Sequence, residues 1–361
     1  MSQFEINKTQ TQGNKGRRAP GVADIEAVAA LAGVSTATVS RALRGLANVS
    51  PETRDRVLAA AKELNYVVSP SASRLASGKT RSVGVVTPYI GRPFFALVLE
   101  GAEEVLRGAG YDVLLYALPD EAERMAFFDR MPLRRRVDAV LVVTLPLTEL
   151  QSQQFRALGV PVGTVGMALD GLPHVGIDDQ AAARVAVNHL VNLGHERIAM
   201  IGGGPSAHEP NPFVAPVDRT RGFRAAMTEA GLPVLPEYEV DGQYTPAGGE
   251  QAMAQLLSLP TPPTAVFAQS DRMAFGALHA LRALGLSCPD DISLIGFGDH
   301  EVAASQDLTT IAQPTREQGA AAARLLLEAL DGQEVASQVL PTSLVLRAST
   351  GPPGGRRSRA R

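Results

Sequence analysis

With one cysteine, Cys288, in 361 residues, the chain cannot close an internal disulfide, which excludes the bridge-stapled scaffolds of small secreted domains. No apolar run approaches the ~20 residues of a membrane-spanning helix, so no membrane partner is expected. The six histidines, His174, His189, His195, His208, His279 and His300, fall at no metal-ligand spacing. No nucleophile elbow or Ser/His/Asp signature is present either, so neither a metal, a cofactor nor hydrolytic chemistry is expected. Ile201-Gly202-Gly203-Gly204-Pro205 lacks the G-x-G-x-x-G spacing, and Pro205 removes a backbone donor, which leaves an ordinary strand-to-loop turn. The polar stretch 1–21 has no apolar signal-peptide segment, so a cytoplasmic protein is expected.

What is present is a large apolar fraction, 45%, enough for more than one domain, and a polarised charge. Residues 1–79 carry 11 Lys/Arg against 6 Asp/Glu, and residues 350–361 carry four Arg and no acid. The formal net charge is nevertheless −3, so the stretch between them is acidic. A basic head on an acidic body suits a protein whose head alone meets phosphates.

Within that head, a helix starting after Asp24 carries Ile25, Val28 and Ala29 on one face and runs into Gly33, a residue that can take the left-handed conformation closing a helix. Ser35 is a natural N-cap for the next helix, whose buried side holds Val39 and Leu43. Thr36, Ala37, Thr38, Ser40 and Arg41 then face outward, and short side chains with one arginine suit close approach to phosphates and base edges. A third helix begins at Ser50 and Pro51, with Val57, Ala61 and Leu64 inward. The turn alone fits any helix hairpin; together with its flanks it reads as a helix-turn-helix entering the DNA major groove.

The segment from Asp24 to Lys79 resembles the N-terminal domain of the LacI/GalR family of bacterial transcriptional regulators. The residues that carry the likeness are Val28-Ala29, Ala32-Gly33-Val34-Ser35, Thr38-Val39-Ser40-Arg41, Val49-Ser50, Thr53-Arg54, Val57, Leu64-Asn65-Tyr66, Ala72 and Leu75. The resemblance implies DNA contacts from Ser35, Thr36, Ala37, Thr38, Ser40, Arg41, Arg44, Asn48, Ser50 and Thr53. It further implies that Val67 to Gly78 is a linker that becomes helical on DNA, with Ala72 and Leu75 at the duplex and Leu75 wedged into a minor-groove step. The linker proline, Pro70, stands one place later than the family's usual Pro-Asn, and Arg44 stands where Asn is common.

From Arg81 the pattern changes to short apolar runs alternating with helical stretches: Ser82–Thr87, Tyr111–Tyr116, Ala139–Val143, Val160–Gly163, then Arg197–Gly202, Ala265–Ala268 and Ile292–Phe297. Such runs mark parallel strands covered on both faces. This body also resembles the family's effector domain, through Pro93-Phe94-Phe95, Asp138, Gly194-His195-Glu196-Arg197, Gly222-Phe223, Asp271-Arg272-Met273-Ala274 and Leu344-Val345-Leu346-Arg347. The expected architecture is therefore an all-α helix-turn-helix head plus an α/β two-lobed, periplasmic-binding-protein-like body of two parallel-sheet, Rossmann-like lobes. The expected boundaries are a disordered basic arm at 1–22, the head at 23–67, a hinge at 68–80, the body at 81–347 and a disordered basic tail at 348–361.

The resemblance implies a homodimer or tetramer on near-palindromic operator DNA, repressing a sugar-uptake or catabolic operon under control of a small molecule, a sugar or oligosaccharide, bound between the lobes. Its effector contacts map to Phe94, Phe95, Asp178, Arg219, Tyr244, Ser270, Asp271 and Asp299. Gly166, Ser270 and Gly298 stand where sugar-binding members often carry longer polar side chains, so either a larger ligand fills the space or Asp178, Asp271 and Asp299 compensate. The segment 205–216, with four prolines, reads equally as a stiff lip or an inert loop. The alternative is a cytoplasmic solute-binding protein or sugar-acting enzyme on the same two lobes, for which the head has no use.

Overall fold

The computed structural model describes residues 24–43, 45–46, 48–66, 79–203 and 214–354, and it divides into two units, 1–79 and 80–361. In the first unit, α1 (Ile25–Ala32) begins because the Asp24 carboxylate accepts the Ala27 N–H at 2.9 Å, and it ends at Gly33, whose φ is 68°. α2 (Thr36–Leu43) follows at once, and α3 (Pro51–Glu63) starts with Ser50 as N-cap and proline first. The three helices enclose a core of small aliphatics: Val28, Ala29, Ala32, Val39, Ala42, Val57, Ala60 and Ala61. The arm 1–22, most of the hinge, Arg44, Ala72, Leu75 and most of the proline-rich segment lie outside the described residues.

The second unit starts on a carboxylate clamp. Asp138 accepts the Thr80 N–H at 2.7 Å and hydroxyl at 2.9 Å through one oxygen and the Arg81 N–H at 2.8 Å through the other. The first lobe is a six-stranded parallel sheet in the order β11-β5-β4-β3-β1-β2, with β1 Ser82–Thr87, β2 Asp112–Ala117, β3 Ala139–Val143, β4 Val162–Val165, β5 His174–Gly176 and β11 Gln338–Val339. Its central strands alternate as pleating requires. Val83, Val85, Leu141 and Val143 pack under α4 (Pro93–Gly108) and α12 (Thr315–Leu330), while Val86, Val140 and Val142 pack under α5 (Glu121–Arg130) and α6 (Glu149–Arg156).

The second lobe repeats the plan as β7-β6-β8-β9-β10-β12: β6 Ile198–Gly202, β7 Glu239–Asp241, β8 Ala265–Ala268, β9 Ser293–Gly298, β10 Thr309–Ala312 and β12 Ser343–Val345, with β12 alone antiparallel. α7 (Asp179–Asn192) and α8 (Val214–Glu229) cover one face, α9 (Pro246–Leu257) and α10 (Asp271–Ala283) the other, and the short α11 (Glu301–Ser305) follows β9. The chain passes between lobes three times, after β5, after β10 and after β11. Among the described residues no helix is long and apolar enough to cross a membrane.

α9 and α10 approach backbone to backbone. A Cβ on Gly276 would lie 1.8 Å from the Pro246 carbonyl oxygen, and one on Gly249 would lie 2.1 Å from that of Met273. Gly276→Ala is therefore expected to cost about 1–3 kcal/mol by overpacking, read as a lower denaturation midpoint; an unchanged midpoint would refute the contact.

The expected tail at 348–361 is corrected at its start, because the second lobe continues past Arg347. The Ser349 hydroxyl donates to the Leu294 carbonyl at 2.6 Å and accepts the Thr309 N–H at 2.8 Å. Gly351 exchanges two bonds with the Ser293 hydroxyl, both at 3.0 Å, and its carbonyl lies 2.8 Å from His195 Nε2. Burial holds the His195 imidazole below its ordinary pKa, which keeps it neutral in this seam.

Candidate functional site

On the head, the outward face of α2 is built as its hydroxyl spacing implies. Ser35, Thr36, Ala37 and Arg41 are exposed, as are Asn48 and Ser50, while Thr38, Ser40 and Thr53 are half-buried. Two of the hydroxyls already serve the fold: Ser35 Oγ accepts the Thr38 N–H at 3.2 Å, and Ser50 Oγ accepts the Thr53 N–H at 3.3 Å. Thr36, Ala37, Arg41 and Asn48 are the members of this set that stand exposed with no such capping duty, and the first three lie on α2. Arg54, marked in the sequence only as part of a pattern, ties the loop between α2 and α3 by donating to the Leu46 carbonyl at 2.8 Å.

In the body, a cavity of about 340 Å³ lies between the lobes, at the carboxyl ends of β1, β3, β4, β6, β7, β8 and β9. Its first-lobe wall carries Tyr89, Phe94 and Phe95, with ring centroids 5.5 Å (Tyr89 to Phe95) and 5.3 Å (Phe94 to Phe95) apart. Phe95 belongs to the lobe core, and Phe94 is the half-buried face turned to the space.

The opposite wall centres on Arg219. Its Nε donates to Asp179 at 2.7 Å, its Nη1 donates to the Gln269 carbonyl at 2.6 Å, and its guanidinium lies 3.7 Å over the Phe297 ring. These three contacts fix a planar cation in the cavity wall. Burial raises the Asp179 pKa, and Arg219 opposes it. Tyr244 reaches the cavity from a loop in which Gln243 and Tyr244 both have left-handed φ, 53° and 51°. Its hydroxyl donates to Gln269 Oε1 at 2.9 Å, and burial pushes its pKa up to about 12, so it acts as a neutral donor. Gly203 makes room for that ring: a Cβ there would lie 2.3 Å from Tyr244 Cε2.

Phe94, Phe95, Arg219, Tyr244 and Ser270 thus share one space, and the three expected aspartates do not. Asp178 is the N-cap of α7, accepting the Ala181 N–H at 2.8 Å, and it is its neighbour Asp179 that lines the cavity. Asp271 is fully buried, held by the Thr310 hydroxyl at 2.6 Å and the His300 N–H at 2.8 Å. Asp299 pairs with Arg347 at 2.7 Å. All three are held by bonds within the protein and none lines the cavity, which removes the second of the two alternatives drawn from Gly166, Ser270 and Gly298. Sequence reasoning missed Tyr89, Arg92, Asp179, Phe297, His300 and Gln318 as lining residues.

Residues 24–69 match the family described as bacterial regulatory proteins, lacI family, and residues 187–350 match a periplasmic binding protein-like domain. The transcriptional repressor CytR of Escherichia coli strain K12 is 36% identical over 343 residues, covering 93% of this chain and 98% of that protein. The Lac repressor dimer bound to operator and the anti-inducer ONPF superposes with a TM-score of 0.82 at 29% identity, over 91% of this chain and 99% of that one. A complex of the transcriptional regulator CelR with cellobiose gives a TM-score of 0.67 at 33% identity, again over 91% and 99%.

Proposed function

The chain belongs to the lacI family of bacterial regulatory proteins, and from that premise we propose that it reads a near-palindromic operator as a homodimer whose affinity is set by a sugar-class effector in the interlobe cavity. It is a DNA-binding transcriptional regulator and not an enzyme. The observation that carries the operator reading is the exposed, short-chained face of α2, from Thr36 and Ala37 to Arg41, on a capped three-helix head. Thr36 and Ala37 set base preference and Arg41 anchors the helix to the backbone. Ala72 and Leu75 act on the minor groove from the hinge, with the domain limits expected from the sequence save at the tail. One such head covers too little DNA for high specificity, which favours a dimer on two half-sites. Its place of action is the cytoplasm, where operator DNA is.

Arg219, Tyr244 and Phe94 support the effector reading, because a donor set and two aromatic faces converge from both lobes on one space. The solved complex of CelR with cellobiose makes a sugar the favoured class. Selection of genomic fragments on the purified protein, followed by sequencing, tests the reading: an inverted repeat is expected, and full affinity for an isolated half-site would defeat it. Leu75→Ala is expected to weaken operator binding in gel shifts at unchanged thermal stability, since the wedge interacts only in the bent complex. Binding and bending equal to the parent's would remove Leu75 from the hinge.

A further inference from the structure

The covalent path from the head to the body enters the second unit at Thr80, and the fold ties that entry down. Both carboxylate oxygens of Asp138 are taken up there: Oδ1 accepts the Thr80 N–H at 2.7 Å and the Thr80 hydroxyl at 2.9 Å, and Oδ2 accepts the Arg81 N–H at 2.8 Å. The backbone is also bound on both sides. The Asp112 N–H donates to the Arg81 carbonyl at 2.9 Å and the Asp138 N–H to the Ser82 carbonyl at 2.8 Å. Arg81 takes a left-handed φ of 51°, which a residue other than glycine adopts only where its surroundings impose it, and its guanidinium lies 5.2 Å from the Tyr111 ring centroid.

β1 holds its place without this arrangement. It is paired with β2 from Ser82 to Thr87 and with β3 from Val83 to Val86, and Val83, Val85 and Val86 are fully buried. An ionised carboxylate accepts stronger bonds than a neutral group, and the side-chain bonds of half-buried Asp138 go to the incoming chain. What they fix is the place and direction at which that chain meets the sheet. The far ends of the same strands reach the cavity. Asp138 immediately precedes β3 and Thr144, a cavity residue, immediately follows it; Thr80 and Arg81 precede β1, and Tyr89, also in the cavity wall, comes two residues after it. Strands of this length span roughly 17–20 Å, and two of them paired in the middle of a packed sheet carry the clamp and the cavity wall as one body.

Resting on the reading of residues 68–80 as a hinge that acts on operator DNA, we propose that Asp138 is the positioning residue by which the first lobe sets the hinge: its carboxylate holds Thr80 and Arg81 to the sheet, so that a shift of the lobe reaches the operator and is not absorbed by slack chain. Asp138 itself touches neither DNA nor effector. Without the clamp the first fixed residue is Ser82, and two freed residues add about 7 Å of tether at roughly 3.3–3.6 Å each. A lobe displacement smaller than that leaves the hinge unmoved, and the longer tether lowers the effective concentration of the hinge at its site.

The test compares the full-length parent with Asp138→Asn, Thr80→Val, Thr80→Ser and Leu75→Ala. Asp138→Asn keeps the side chain's size and turns one accepting oxygen into a donor that faces a donor. Thr80→Val removes the hydroxyl bond without touching β3, and Thr80→Ser keeps it. Each protein is titrated by gel shift against a genomic fragment retained by the parent and against a scrambled duplex of equal length, and tryptic cleavage after Arg81 is followed in the free protein. For Asp138→Asn the expected results are cleavage at least tenfold faster, operator affinity at least tenfold weaker and scrambled-duplex affinity within twofold of the parent's. Thr80→Val should weaken operator binding about threefold, and Thr80→Ser should bind as the parent does. Asp138→Asn that opens the Arg81 site yet binds operator normally overturns the inference, as does Thr80→Val that cannot be told from Thr80→Ser. Operator and scrambled duplex weakened alike would leave Asp138 a role in the fold alone, which also overturns it. Leu75→Ala separates the two readings: if it weakens operator binding and Asp138→Asn does not, the hinge stands and the clamp does not. If neither weakens it, or no fragment is retained, the hinge reading falls and the inference with it.

Discussion

Val39→Asp is expected to abolish operator binding, a loss of at least a hundredfold in gel shifts, while the body keeps its own unfolding transition. Val39 is fully buried at the centre of a head whose enclosed core is only valine and alanine. A carboxylate there has no partner to accept from, and burying an unpaired charge costs several kcal/mol. A three-helix unit of this size has only a few kcal/mol to lose, so the helices separate and α2 loses its orientation. The body begins at its own clamp on Asp138 and does not share that core. Calorimetry should therefore show the body's transition unmoved and the head's gone. Operator binding near the parent's level by a folded Val39→Asp protein would mean that α2 is not the reading helix.

The same head illustrates why part of this molecule could be read directly from its residues. Asp24, Gly33, Ser35, Ser50 and Pro51 are local devices, each acting within four residues, and each stands where the spacing puts it. The central strands were equally legible, because Ala139–Val143 and Ala265–Ala268 are apolar throughout and buried on both faces. β4 runs two residues later than the expected Val160–Gly163, since Pro161 has no N–H to give the ladder and contributes only its carbonyl, which accepts from Val140 at 2.9 Å. β5, β7, β11 and β12, of two or three residues each, carry too little pattern to be seen.

The cavity was legible where resemblance named a position and illegible where the fold chose between neighbours. Asp178 and Asp179 are chemically identical in sequence. Only the start of α7 decides that the first caps the helix and the second meets Arg219. Asp271 and Asp299 look free until the chain returns with Thr310 and Arg347, 39 and 48 residues away, to occupy them. Arg92 presents the reverse case: it looks like a surface arginine until the fold sets it in the cavity wall over the Tyr89 ring.

Arg219→Ala is expected to abolish the effector response and, separately, to expose a buried charge. The arginine side chain is 8% exposed and that of Asp179 is 13% exposed, so removing one partner leaves a desolvated carboxylate, a cost of about 3–5 kcal/mol. The response is lost because the donor aimed between the lobes is gone, which removes a coupling of about 1–3 kcal/mol between ligand and operator. Operator binding without ligand is expected to persist, measured by gel shift beside a ligand titration. The pH dependence separates the two effects. The Asp179 pKa is already raised above 3.8 by burial, and losing Arg219 removes the largest influence holding it down. A carboxyl raised in the folded state binds its proton more tightly there than in the unfolded chain, so it favours folding at low pH and loses that contribution as pH rises through its folded pKa. Arg219→Ala should therefore regain stability as pH falls from 7 toward 5, and Arg219→Ala combined with Asp179→Asn should not. If both respond alike to acid, the pair does not act as a unit. If Arg219→Ala still responds to effector with the parent's affinity, the ligand is held elsewhere.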